Sequence, residues 1–237
     1  MKKILLFILA ASMVHIAHGQ HDLAVQADRL ILNSSFQQAI DLIDNGLKKN
    51  ESDARTSIIL QNKKAEALTA MGKFSIAEDI LKDLQIRNRD NGDSFLAAVT
   101  SSNLGFLALN QGQNETAEQL LQDAVTAFEE AGKQNSLEAA QALARLGLAY
   151  MNAGKYAQAE EQLQIALSIR REKTGDTHEL IAATYNDLGL VFSQTDKDKA
   201  LDHFEMALSM YKSLYGEDHP KIAITYINTG IIYRDLT

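Results

Sequence analysis

A small residue set into an apolar helical face recurs at a nearly fixed interval along this chain, and that recurrence limits the folds open to it. The residues are Ala27, Ala65, Gly105, Gly147, Gly189 and Gly230, at spacings of 38, 40, 42, 42 and 41. A second small residue follows at Ala39, Ala77, Ala117, Ala159 and Ala200, 12 positions after its partner except in the fifth unit, where the interval is 11. Between the two lies a turn position filled by Gly72, Gly112 and Gly154, with Ser34 and Asp196 in the outer units. An aromatic follows two residues later at Phe36, Phe74 and Tyr156. The clearest unit is Leu137 to Glu179. There Leu143, Leu146, Gly147 and Tyr150 share one helical face at i, i+3, i+4 and i+7, and after the turn Ala159, Leu163 and Ala166 share another. Small residues on both faces let two helices cross closely, so each unit reads as a helical hairpin.

The pattern resembles the tetratricopeptide repeat, W-x2-L-G-x2-Y followed by A-x3-F and a later Ala and Pro, with the closing Pro missing from nearly every unit. Leu143, Leu146, Gly147, Tyr150, Ala159, Leu163 and Ala166 carry the match in the fourth unit. In the fifth it is carried by Tyr185, Leu188, Gly189, Phe192, Ala200, Phe204 and Ala207. The first two units match less closely, with Gln26 and Lys64 where Leu is expected. A period near 42 and Gly216-Glu-Asp-His-Pro220 before Ala223, Asn228, Gly230 and Tyr233 are more similar to the long-period variant of kinesin light chains and bacterial multi-repeat proteins. The resemblance implies an all-α fold, a right-handed α-α superhelix of stacked antiparallel helix pairs. Its units run roughly 22–53, 56–93, 95–134, 137–175 and 179–216, with a half-unit at 220–237. A first helix without its second leaves Ile224, Ile227, Ile231 and Ile232 incompletely covered, which leads to the expectation that the sequence is part of a longer protein.

Residues 1–19 read differently. Lys2 and Lys3 precede a mostly apolar stretch from Ile4 to Ala17, too short to span a bilayer, that ends in Ala17-His18-Gly19 before Gln20. This is the pattern of a signal peptide, and it predicts export to a periplasmic or extracellular space with 20–237 as the mature array. No Cys stands at the cleavage point to carry a lipid, and the absence of Cys throughout excludes disulfides and thiolate metal sites. Loss of two Lys and no acid with the signal takes the charge from -8 to 21 minus 31, or -10. An acidic surface repels phosphate backbones, so nucleic acid is not an expected partner. No later segment is apolar enough to enter a membrane.

The loops carry capping chemistry. Asn91-Gly92 favours positive φ, and Asp93 or Ser94 is positioned to cap the next helix. Gly175 and Gly216 are expected to close helices in a left-handed conformation, with Asp176, Thr177 or Asp218 capping the helix that follows. His178 and His219 occupy equivalent loop positions too far apart in stacked repeats to share a metal. His203 reads as a residue of a solvated face. No nucleophile motif, phosphate loop or metal-ligand spacing is present, so neither an active site nor a cofactor is expected.

A surface is expected instead. In the tetratricopeptide frame, residues three before and one, four and five after the small anchor line a concave groove. That frame selects Asn62, Ser102 and Asn186 before the anchors and Asn110, Asn152 and Gln194 after them, with Phe106, Leu148 and Leu190 as apolar neighbours and Arg145 as the nearest cation of the central units. Side-chain amides donate to and accept from a peptide backbone, so such a row suits an extended segment. The expected partner is a protein or peptide. Two further expectations accompany it: self-association through the end repeats, or service as the regulatory array of a longer protein ending in a caspase-like (CHAT) protease or a sensor kinase.

Overall fold

The computed structural model describes residues 23–49 and 54–234, and the proposed signal segment at 1–19 lies outside them. Among the described residues all regular structure is α-helical. The helices are α1 (23–32), α2 (Phe36–Lys49), α3 (Ala54–Ala70), α4 (Phe74–Asn91), α5 (Ser94–Asn110), α6 (Asn114–Glu130), α7 (Leu137–Asn152), α8 (Tyr156–Thr174), α9 (Glu179–Phe192), α10 (Lys197–Tyr215) and α11 (Pro220–Arg234). The chain divides into two compact units, residues 1–103 and 104–237, with the division inside α5. Odd-numbered helices carry the first small residue of each repeat and even-numbered helices the second.

The hairpin turns follow from the sequence. Gly72, Gly112 and Gly154 take φ of 72°, 74° and 73°, and Ser34 adopts 58° in the same slot. At each, the next residue donates its N–H back to the carbonyl five positions earlier, as in Lys155 to Tyr150 at 2.8 Å and Ser35 to Leu30 at 2.8 Å. This closes the first helix and turns the chain. Asp196 does not occupy that slot. Its φ is -152°, and its Oδ1 accepts from Lys199 N at 3.1 Å as the cap of α10. The fifth unit is one residue shorter between its small residues, so the left-handed position is lost and the Asp becomes the helix start.

In the unit formed by residues 104–237 the small residues meet large ones from the paired helix. A Cβ at Gly105 would lie 2.5 Å from Leu121 Cγ, one at Gly147 2.8 Å from Leu163 Cγ, and one at Gly189 2.5 Å from the Phe204 ring. The side chains they receive are almost wholly buried: Leu121 and Leu163 at 0% and Phe204 at 1% exposure. These knobs join Leu143, Leu146, Tyr150, Leu188, Phe192 and Tyr211 in one continuous core. Gly230 of α11 differs, for nothing lies within 4 Å of its Cβ position. Ile232 is buried there, whereas Ile224, Ile227 and Ile231 are exposed together with Tyr226 and Tyr233. In the unit formed by residues 1–103, Ala27, Ile43 and Leu60 make a smaller core against Leu23, Leu42 and Leu47.

The capping pattern holds at one loop and is corrected at two. Asp93 Oδ1 accepts from Leu96 N at 3.1 Å after Gly92 at φ 64°, and Ser136 Oγ caps α7 through Ala139 N at 3.1 Å. Gly175 and Gly216 have φ of 79° and 77°, but with ψ of -174° and -170° they lie outside the left-handed helical region. Only glycine takes that backbone readily. The caps of α9 and α11 are not Asp176, Thr177 or Asp218. They are His178 and His219, whose Nδ1 atoms accept from Leu180 N at 3.2 Å and Lys221 N at 3.3 Å. The extended turn after each glycine carries the chain two or three residues further before the helix begins, and the histidine is the residue left at its start.

Candidate functional site

The residues expected in the groove lie on the odd-numbered helices, apart from Gln194 in the turn after α9, and their surroundings separate them into two groups. Asn62 and Ser102 are buried, at 2% and 3% exposure. Asn62 Nδ2 donates to Ile58 O at 3.1 Å and Thr100 Oγ1 at 3.1 Å, and its Oδ1 accepts from Asn103 Nδ2 at 3.0 Å. Its amide is spent on the neighbouring repeat, which corrects its expected place as a surface that meets a ligand. Replacing Asn62 by Ala is expected to cost about 1–3 kcal/mol, because Thr100 and Asn103 lose a buried partner. Chemical denaturation measures that cost, and a change within 0.5 kcal/mol would remove the packing role.

Asn186 behaves similarly on α9. Half-buried, its Oδ1 accepts from Thr225 Oγ1 at 3.4 Å and from Asn228 Nδ2 at 3.3 Å. Arg145 is 6% exposed, and its guanidinium lies 4.3 Å from the centroid of the Phe106 ring. A cation over an aromatic face gains from the ring quadrupole while the ring shields it from water. Arg145 is therefore built into the packing of α5 against α7 rather than held out to solvent.

The remaining residues form a surface. Phe106, Leu148 and Leu190 each follow the small anchor by one position and are half-buried, with Leu190 packed on the core beneath. Asn110, Asn152 and Gln194 sit five positions after the anchor, at the hairpin-turn end of these helices, and are exposed. Their present bonds are exposed, two of them local and one, from Asn152, to the preceding repeat. Asn110 donates to Phe106 O at 2.8 Å, Asn152 to Asn114 Oδ1 at 3.4 Å, and Gln194 to Ser193 Oγ at 3.0 Å. An apolar row beside a row of amides gives both contact area and peptide-type hydrogen bonding.

A polar motif that the sequence-level expectations lack recurs at the ends of the second helices. Eleven residues after the small residue of the second helix stand Asn88 and Arg170, both buried. Asn88 Nδ2 donates to Leu96 O at 3.2 Å and Thr100 Oγ1 at 2.8 Å. Arg170 makes the equivalent pair, to Leu180 O at 3.1 Å and Thr184 Oγ1 at 2.6 Å. Each Thr also returns its hydroxyl proton to the carbonyl four residues earlier. A clasp thus fastens the end of one hairpin to the first helix of the next. Burial pulls the Arg170 guanidinium down to about 10 and raises the Asp187 carboxyl to about 6, with Arg170 opposing the second shift. The signal was present in the sequence, since Arg170 continues the buried face of Leu163, Ala166 and Leu167. His203 also departs from a purely solvated role, with its ring 5.0 Å from that of Phe192. Among the described residues no His, Asp and Glu cluster is arranged to hold a metal ion, and no helix is long and apolar enough to cross a membrane.

Family models agree with this architecture. Two, each described as a tetratricopeptide repeat, match residues 98–131 and residues 138–213 with 196–236, together more than half of the chain. The chain is a tetratricopeptide repeat protein. Its helix pairs are those of the long-period variant, and it is similar to several solved proteins. BtubC (BKLC) from P. vanneervenii is 22% identical with a TM-score of 0.67, over 89% of this chain and 84% of that one. A putative kinesin light chain of Podosopora anserina with nearly identical TPR-like repeats is 18% identical with a TM-score of 0.54, over 82% and 95%. PlcR of Bacillus thuringiensis, solved with the peptide PapR7 and DNA, is 14% identical with a TM-score of 0.72, over 91% and 74%. At these identities the likeness concerns the fold. No curated protein shows significant sequence similarity to this tetratricopeptide repeat protein.

Proposed function

We propose that this tetratricopeptide repeat protein is an exported, non-catalytic scaffold of bacterial type that holds an extended peptide or protein segment on the odd-helix face of residues 104–234. The observation that carries this reading is the pairing of the half-buried row Phe106, Leu148 and Leu190 with the exposed amides Asn110, Asn152 and Gln194. An apolar stripe contributes affinity by shedding water, while amides bonded only to replaceable neighbours exchange those bonds for a ligand backbone at little cost. The peptide bound to PlcR, a protein of the same fold, supports the class of ligand. The signal pattern of residues 1–19 supports export.

Peptides selected from a random display library against the chain from Gln20 onward test the proposal. Selected peptides should bind the variant Asn110→Ala/Asn152→Ala/Gln194→Ala at least about tenfold more weakly, since each lost amide contact is worth roughly 0.5–1.5 kcal/mol. All three residues are exposed, so the variant should retain its helicity. Equal affinity for both proteins would move the binding surface elsewhere, and failure to select any peptide would remove the extended segment as the ligand class.

A further inference from the structure

The caps of α5, α7, α9 and α11 do not share one chemistry. Asp93 caps α5 and Ser136 caps α7, both through oxygen. His178 and His219 cap α9 and α11 through imidazole Nδ1. Oxygen caps accept a hydrogen bond across the neutral range, whereas an imidazole nitrogen accepts only while it lacks a proton. In both histidines the acceptor faces the first turn of a helix, where the free N–H groups already present partial positive charge. A proton on either ring removes the acceptor and sets a cation against those groups. We propose that the last two repeats carry a proton-sensitive cap, in which His178 and His219 hold the first turns of α9 and α11 only while their imidazoles are neutral, so that acidification loosens both helices.

The surroundings favour the neutral rings. Burial lowers the pKa of His178, and the Arg170 guanidinium from α8 lowers it further. Burial and then Lys221 on α11 lower that of His219, whose ring is stacked on Tyr215 of α10 with centroids 4.1 Å apart. Carboxylates stand nearby: Asp176 and Asp218 in the two loops, Glu217 paired with Lys212 at 2.9 Å, and Glu179 at the start of α9 opposite Lys221. Glu179 and Asp187 have raised pKa values, chiefly through burial, and so titrate with the opposite sign. For the histidines, the folded pKa lies below the unfolded one. Their stability contribution is therefore intact above the ordinary histidine pKa of 6.5 and is lost as pH falls toward the folded value. For the two carboxyls the folded value lies above the unfolded one, so acidification favours the folded state. A comparison between variants that share those carboxyls isolates the histidines.

The experiment is urea unfolding of the full chain at pH 7.5 and pH 5, in wild type and in His178→Asn, His219→Asn and the double variant. Asn is a strong cap that does not titrate. Relative to the double variant, the wild-type midpoint should fall by about 0.5 M urea per cap on going to pH 5, with each single variant intermediate. The same pH dependence in all four proteins would overturn the proposal. An independent reading comes from the imidazole nitrogen shifts of the wild type at pH 7.5. His178 and His219 should carry their proton on Nε2. His203 serves as an internal contrast, because its Nδ1 lies 2.8 Å from the Lys199 carbonyl and must donate to it. A proton on Nδ1 of His178 or His219 would overturn the cap, including where the double variant fails to fold.

Discussion

Gly147→Leu is expected to destabilise this protein by about 3 kcal/mol or more, near the upper end of the usual cost of overpacking a core. A Cβ at that position would already stand 2.8 Å from Leu163 Cγ and 3.1 Å from the main-chain oxygen of Ala159. The leucine could rotate, but the backbone oxygen can move only if α8 moves away from α7. Such a shift would disturb Leu143, Leu146 and Tyr150, whose exposures of 6%, 3% and 6% mark them as filled core positions. Gly230→Ala is the matched control. It occupies the same repeat position with nothing within 4 Å, so an added methyl meets no resistance and should stabilise α11 by up to about 1 kcal/mol through helix propensity. Denaturant midpoints of the two variants check both signs. A Gly147→Leu protein that unfolds like wild type would place the helix crossing elsewhere.

Replacing Arg170 by Met is expected to cost about 3 kcal/mol, because a buried cation that holds two hydrogen bonds is removed and a nearby carboxylate loses its compensation. The side chain is 4% exposed and ties α8 to Leu180 and Thr184 of α9. Met fills much of the volume, so most of the loss should be polar. Asp187 gives the variant a pH signature. Its folded pKa of about 6 lies above the ordinary value of 3.8, so its contribution is favourable in acid and is lost as pH rises through about 6. Without Arg170 the folded pKa rises further, so the deficit of the variant should shrink as pH falls below 6. Adding Asp187→Asn to the variant should recover about 1 kcal/mol at pH 7 by removing the uncompensated charge. An Arg170→Met protein within 0.5 kcal/mol of wild type at pH 7 would show that the clasp contributes nothing net to stability.

The clasps and the proposed binding face both use α5 and α9, which affects how binding variants are chosen. Asn62 and Asn186 lie in the positions expected for ligand contact, yet their amides bond to the next repeat. A change at either would disturb the packing between repeats as well as the face itself. Asn110 and Gln194 bond only within their own helix end, and Asn152 reaches the preceding repeat only through an exposed 3.4 Å bond to Asn114, so these three are better separated from the packing.

The division of helices, their pairing and their turns were written in local chemistry. The small residues at Gly105, Gly147 and Gly189 mark repeated close crossings, and glycines at φ above 70° stand where the hairpins turn. These features depend on neighbours along the chain, so the order of residues suffices to place them. Burial of a polar side chain is a different matter, because whether it meets solvent or the next repeat depends on a partner about 40 residues away. Asn62 and Asn110 are the same residue type on adjacent first helices, and one is sealed by Thr100 and Asn103 while the other meets solvent. Arg170 carried a charge on an otherwise apolar face, and only the carbonyl of Leu180 and the hydroxyl of Thr184 across the interface explain why it is buried there. The caps of α9 and α11 passed from Asp and Thr to His for a related reason. Each glycine's extended turn sets which residue arrives at the helix start, and that placement is fixed by the path between two packed helices rather than by the capping preference of any one side chain.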